Sequence, residues 1–535
     1  MHAYVAEEFT DAEVAILRRY FTNLEGPVFA LVNLPEVVKG ALFARYSRSS
    51  KSLRRLFLDE FVGDLDLSGD ATIDARAGLD RADELYQRIF VEYGDDSVAQ
   101  LGGVHLACEQ ASNVLTKVLE WGRLMSYLEQ STRYLGYDRR FTNGQYRFYR
   151  DHDLLESRFG ARYVGDMDRM FDTYAELLPV LTEWLTNKFP KTPEDTDFVY
   201  RQAIRAKALD ATRGLLPASA LSNLGIYASG QAYESLLLHM RAHPLLEVRL
   251  YAQLILDELV KVIPSFLKRV EMPERGVAWS TYMSETKSAT HELLKSMWES
   301  VVEDEPTEQV RLVAFDPDGE TRVLEAIVFG NSTISHVEAR VRVGAMSTAE
   351  RAALMSTYVG HRKNRRHRPG RAFERTDYRF ELTTDYGAFR DLQRHRMLTI
   401  EWQPLTADLG YDVPEVIREA GLAERYEESL RRSAELYYDL RRVFPEQAQY
   451  AVALAFRIRY AMQMNAREAM HLIELRSSPQ GHPSYRSVAQ EMARLVREVA
   501  GHELIADAMK YVDFSDTDLE RLDAERAAER NRLNR

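Results

Sequence analysis

One order of sequence elements runs through this chain twice, so whatever it folds into must be two copies of a single plan. In the first pass, residues 1 to about 60 read as helical, with Thr10 or Asp11 capping AEVAILRRYF. Ser97 to Tyr134 then mixes apolar runs with polar punctuation, as a sheet edge entering a helix and loop would. Helical periodicity returns in DTYAELLPVLTEWLTNKF and from Asp197 to about Leu267. A second start stands near residue 308, where EQVRLVAF and TRVLEAIVF read as two strand-like runs about the turn Asp316-Pro317-Asp318-Gly319. DYRFELT then reads as a strand, FRDLQRHRMLTI as a helix or helix end, and AQYAVALAFRIRYAMQMNAREAMHLIEL as one long buried helix.

The 535 residues suit two domains, each with a core of its own. The expected boundaries are 1–290 and 305–515, followed by a charged helical tail at 516–535, with the acidic stretch ESVVEDEPTEQ as linker. Arg123 and Arg241 stand 118 apart while Arg396 and Arg476 stand 80 apart, so the first copy carries an insertion, expected within residues 140 to 200.

Composition narrows the function classes. The net charge of −12, with 28% charged residues, offers nucleic acid no global attraction. Cys108 is the one cysteine, which rules out disulfides within the chain and C-x-x-C metal patterns, and no metal is expected. No apolar run approaches the roughly 18 residues of a membrane span. The acidic N-terminus is unlike a signal peptide, so the reading is a soluble cytoplasmic protein.

The chemistry-bearing residues are partitioned between the copies. In the first, Glu129, Ser131 and Arg133 lie within five residues, so one loop presents a carboxylate, a hydroxyl and a guanidinium to a small anionic ligand. Arg213 precedes Leu215-Leu216-Pro217, and Arg241 follows in HMRAHP. In the second copy Gly360-His361, Arg394-His395-Arg396 and Asn465-Ala466-Arg467 occur in order, followed by His471 and Glu474-Leu475-Arg476. Arg467, His471 and Glu474 share one helix face at i, i+4 and i+7, which suits a cofactor groove or a surface ion-pair ladder.

Together these stretches resemble the flavin-dependent thymidylate synthases, whose signature is Arg-His-Arg, seven residues, then Ser within Ser-x-Arg-Tyr. Seven residues separate Arg123 from Ser131-Thr132-Arg133-Tyr134, but Trp121 and Gly122 precede Arg123. Arg394-His395-Arg396 is complete, but Pro404 stands at the serine position. The resemblance implies an α+β fold in two tandem copies, each a mixed sheet packed with long helices. It implies that Ser131 and Arg213 are catalytic, that Glu129, Ser131, Arg133, Arg213 and Arg241 hold the nucleotide, and that His361, Arg394, His395, Arg396, Asn465, Arg467 and His471 hold the cofactor. The reaction implied is reductive methylation of dUMP with FAD, NADPH and methylenetetrahydrofolate, in a site shared between copies of a homodimer of fused chains. The alternatives are a related flavin enzyme acting on another uridine-type substrate, and a non-catalytic nucleotide- or flavin-binding homologue.

The copies also depart from that pattern. Asp95 replaces the His of Gly-His, and Ser229-Gly230-Gln231 replaces Asn-Ala-Arg. Gln449 replaces the arginine matched by Arg213. Asp391 stands where the family commonly has Gln, and its charge is expected to repel a phosphate. Residues 361–371, HRKNRRHRPGR, hold five arginines and a lysine, a local exception to the acidic whole and a candidate surface for phosphates or RNA.

Overall fold

The structure is a computed structural model that describes residues 4–62, 100, 102–298, 308–515, 519 and 521–533. The main elements of its first half are α1 (Asp11–Leu17), β1 (Val28–Leu31), α2 (Glu36–Tyr46), α3 (Leu53–Glu60), β2 (Gly103–Ser112), α4 (Asn113–Leu119), β3 (Met125–Glu129), α5 (Gly160–Lys188), α6 (Asp197–Thr212), β4 (Leu221–Ser229), α7 (Gly230–Arg241) and α8 (Leu246–Leu259). The second half repeats the plan with β5 (Val310–Phe315), α9 (Gly319–Gly330), β6 (Asp377–Asp385), α10 (Tyr386–Leu392), β7 (Thr399–Trp402), α11 (Ala423–Leu440), β8 (Arg457–Asn465), α12 (Ala466–Arg476) and α13 (Pro483–Glu498), and ends in α14 (Leu522–Leu533).

One four-stranded sheet has the order β1-β2-β4-β3 and the other β5-β6-β8-β7. The same order twice is the tandem duplication in α+β form. Every pairing is antiparallel, where mixed sheets were expected, so neighbouring strands need no crossover helix. Part of the expected insertion falls where α5, at 29 residues, outgrows its counterpart α11, at 18.

Local chemistry sets the element ends. Thr10 and Glu13 close a capping box at the start of α1. Four expectations about these elements are corrected. TRVLEAIVF is the helix α9, not a strand: Val323, Leu324 and Ile327 are the buried positions, a helical spacing, and its β-branched content is overridden by burial of that face. AQYAVALAFRIRYAMQMNAREAMHLIEL is not one helix. Ile458, Tyr460, Met462 and Met464 alternate with less buried neighbours as β8, and Asn465 then caps α12 by accepting the Glu468 N–H at 3.0 Å. The helical reading of 1–60 is broken by β1, buried along its length, and that of 197–267 by β4, where Leu224, Ile226 and Ala228 are buried and Tyr227 is exposed.

The chain divides into two units, and each draws on both halves. The first comprises Met1–Ala175, Leu215–Glu303 and Glu428–Ala453; the second comprises Glu176–Gly214, Asp304–Glu427 and Leu454–Arg535. In the first, Leu17, Phe21, Phe29, Phe43 and Phe57 form a core, with the guanidinium of buried Arg54 lying 4.1 Å from the Phe29 ring. In the second, α14 is tied back by Arg526, whose Nε donates to Asp195 Oδ1 at 2.7 Å. The acidic linker lies largely, and Asp95 wholly, outside the described residues.

Candidate active site

In the second unit, β6 feeds α10, and α10 ends just before Arg394-His395-Arg396. Asp385 caps that helix by accepting the Ala388 N–H at 2.9 Å, and all seven helix residues are buried. His395 is thereby delivered to the interior against α12. Its Nε2 accepts from Arg476 Nε at 3.0 Å, so the ring proton sits on Nδ1, 3.2 Å from Glu468 Oε1. Burial holds the His395 imidazole well below its ordinary range, and Arg476, His471, Arg394 and Arg368 add to the effect. Burial also pushes the Glu468 carboxyl up to about 7, against the opposing pull of Arg368, Arg467 and Arg396. The result is a neutral, oriented imidazole. His471 stands edge-on to it at 5.5 Å and is itself lowered to about 4, first by burial and then by Arg368, Arg365, Arg476 and Arg467.

Arg213 enters the same unit from the first half of the sequence. It follows α6, its side chain is 5% exposed, and its Nη1 donates to Asp391 Oδ2 at 3.4 Å, with Asp385 3.9 Å from Nη2. Asp391 also accepts from Arg394, and its backbone carbonyl accepts from Arg476. Asp391 therefore carries a charge already matched by guanidiniums, not an uncompensated one aimed at a phosphate, and the expected repulsion is corrected accordingly. Gly387 makes room: a Cβ there would lie 2.9 Å from Arg213 Nε. One buried network thus links Arg213 to His395.

The remaining flavin-side candidates surround this network. The Asn465 Oδ1 is spent on the cap of α12. Arg467 donates to the Pro369 carbonyl at 2.9 Å and lies 3.4 Å from Glu374. Arg396 and His361 are exposed. Glu474, expected beside Arg467 and His471, is instead buried against Arg362, whose Nη1 donates to it at 2.7 Å and to the Ala508 carbonyl at 2.6 Å. The basic loop is therefore pinned, and its Arg365 and Arg368 act electrostatically on His471.

The nucleotide-side candidates Glu129, Ser131, Arg133 and Arg241 belong to the first unit. β3 ends at Glu129, and Ser131 opens a turn in which its Oγ accepts the Arg133 N–H at 3.3 Å while its own N–H bonds the Ser47 carbonyl at 3.1 Å. Glu129 is 3.3 Å from the Nζ of buried Lys117, which also bonds Glu120. Arg241 is engaged with the Val270 carbonyl at 3.0 Å and Gln253 at 3.2 Å.

The corner where the middle strand enters its helix is built in both units with the roles exchanged. In the first, Ser112 caps α4 and donates to Glu247 Oε2 at 2.6 Å, and Tyr450 donates to the same oxygen at 2.8 Å. In the second, Asp385 caps α10 and accepts from Ser484, with Arg213 beside it. Tyr450 follows Gln449, the counterpart of Arg213, so each corner receives its last partner from the other half of the sequence.

Sequence reading missed Lys117, Glu120 and Glu468. The signal for Lys117 was a lone cation in NVLTKVL, a segment otherwise free of charge. For Glu468 it was a carboxylate on the apolar side of α12, whose buried residues include Ala469, Leu472 and Ile473. Ligand atoms of His395, Glu468 and His471 lie within 4.8 Å of one another, a spacing compatible with a divalent cation. Arg365, Arg368, Arg396, Arg467 and Arg476 around them select against a cation and for an anion.

The sequence model of the family described as thymidylate synthase complementing protein matches residues 41–265 and 311–501, one segment in each half. A UPF0159 protein of Chlamydia muridarum is 40% identical over 526 residues, covering 97% of this chain and 98% of the relative. A UPF0159 protein of Chlamydia pneumoniae is 40% identical over 527 residues, with the same coverage. A third UPF0159 protein, from Thermoplasma acidophilum, is 33% identical over 519 residues, covering 91% of this chain and 97% of the relative.

Proposed function

The chain belongs to the thymidylate synthase complementing protein family, and from that membership we propose that it is a flavin-dependent thymidylate synthase, converting dUMP to dTMP with methylenetetrahydrofolate as carbon donor and NADPH as reductant. The carrying observation is the network in which Arg213, from one half of the sequence, meets Arg394, His395 and Arg476 from the other. A site assembled from both copies needs such a meeting. FAD is an anion with an electron-poor ring system, and the arginines about a neutral His395 fit that chemistry. His361, Arg394, His395, Arg396, Asn465, Arg467 and His471 would hold it. Bound there, flavin supplies the hydride chemistry that no side chain can.

The protein's own contributions are positional and electrostatic. Arg213 and Arg133 offset charge that develops on the pyrimidine ring and its phosphate. Glu129, Ser131 and Arg241 orient the nucleotide. His395, with Nδ1–H fixed on Glu468 and Nε2 on Arg476, keeps one tautomer and one ring plane. The fused pair works as a homodimer in the cytoplasm, and light scattering of the purified protein tests the first part of that statement.

A second reading, a flavin enzyme acting on another uridine-type substrate, is favoured by one observation: Arg365 and Arg368 of the basic loop act electrostatically on His471. The test is rescue of a thymidine auxotroph, together with the visible spectrum of the purified protein before and after adding dUMP. Rescue that is lost in both Arg133→Ala and His395→Ala, with folded proteins, supports a shared dTMP-forming site. A flavin band with no rescue moves the second reading to the front, and a colourless protein that fails to take up FAD removes both.

A further inference from the structure

Beyond His361, the loop 361–371 has no part in the proposed reaction. Lys363, Arg366, Arg368 and, just beyond, Arg375 are exposed, and Arg365 is half-exposed. None of these five forms an ion pair with a described carboxylate, although 82 acidic residues outnumber 70 basic ones in the chain; Glu374 is taken by Arg371 and Arg467. Five like charges within thirteen residues repel one another, and a merely solvated loop would relax by spreading out.

This loop is prevented from spreading. Arg362, 2% exposed, is clamped on Glu474 and the Ala508 carbonyl, and Tyr511 Oη donates to the Arg362 carbonyl at 2.6 Å. Asn364 Oδ1 accepts the Arg366 N–H at 2.9 Å, Arg467 holds the Pro369 carbonyl, and the Ala372 N–H donates to Tyr358 Oη at 3.2 Å. A buried ion pair is a costly way to hold a loop in place. Here it holds, on a fixed backbone, a row of cations without ion-pair partners among the described residues, which is preorganisation for a polyanion.

Charge stoichiometry narrows the ligand. A mononucleotide brings one phosphate and a dinucleotide cofactor two, fewer than the five cations. Arrangement narrows it further. The five cations follow one another along a single stretch of backbone, and four of them are exposed. A ligand that meets them in turn carries successive phosphates along one strand. We propose that the loop 361–375 binds the phosphodiester backbone of a single-stranded oligonucleotide.

The test is fluorescence anisotropy of a fluorescein-labelled twelve-residue oligouridylate titrated with the full chain at several salt concentrations. Saturable binding is expected, with log K falling against log salt at a slope of about −3 to −4, since single strands give roughly −0.7 per phosphate contacted. Lys363→Ser/Arg366→Ser/Arg375→Ser should weaken it at least tenfold and flatten the slope, with circular dichroism unchanged. If the triple variant fails to fold, Arg366→Gln alone should give a two- to fivefold loss. Absence of saturable binding overturns the proposal, as does binding that these substitutions leave intact. Displacement by UMP at equal phosphate concentration identifies a one-phosphate site, and equal competition by inorganic polyphosphate identifies a site indifferent to the nucleotide chain; either also overturns it.

Discussion

A carboxylate at position 391 changes what the arginines around it can do. With Arg213 5% exposed and Asp391 11%, their contact is a buried ion pair, and removing one partner leaves a desolvated charge. Asp391→Asn should therefore cost about 3 kcal/mol in chemical denaturation, and adding Arg213→Gln should recover most of it. A loss below about 1 kcal/mol would mean that the two groups are not coupled. Glu247 gives a pH signature. Burial, opposed by the bonds from Ser112 and Tyr450, pushes its carboxyl from 4.5 up to about 7. A raised folded-state pKa means that its stabilising contribution is whole below pH 4.5 and is lost as pH rises to about 7, by about 3 kcal/mol in total at 1.36 per unit. His243, lowered to about 3, and His471, lowered to about 4, act with the opposite sign below pH 6.5, so the comparison must be between variants. Glu247→Gln should flatten the difference in unfolding free energy between pH 5 and pH 8.

Elements were legible where one period dominated and illegible where two competed. The box Thr10 to Glu13 announces α1, and Arg394-His395-Arg396 stands out in any reading. β8 was hidden because its alternating Ile458, Tyr460, Met462 and Met464 run straight from the continuous apolar AVALAF into the helical spacing of α12, so neither period stands out. α9 was hidden by β-branched residues that its buried face overrides. No local pattern could have shown that Arg213 lies beside Asp391, because that contact spans 178 residues. The junction of β8 and α12 carries its own prediction. Asn465→Ala should cost about 1 kcal/mol through the lost cap, while Asn465→Asp should keep the helix. If flavin retention, read by absorbance, falls in Asn465→Asp as well, the amide has a second duty besides capping.

Each unit is completed by a segment from the other half of the chain: Glu428–Ala453 in the first and Glu176–Gly214 in the second. Within the first, the Ser219 N–H bonds the Tyr450 carbonyl at 3.2 Å; within the second, the Ala455 N–H bonds the Gly214 carbonyl at 2.9 Å. Residues 1–303 expressed alone should be insoluble or lack a cooperative unfolding transition, and so should residues 304–535, while coexpression should restore one soluble complex. Two independently soluble halves, each unfolding cooperatively, would count against the exchange. The exchanged segments also bear on descent. Once each copy had come to rely on its sister for a strand-corner partner, Tyr450 in one case and Arg213 in the other, a later lesion in either copy harmed both, and neither could be discarded as a spare. A duplication ordinarily frees one copy to drift; this one bound the two to a common fate while letting each shed the part of the motif that the other retained.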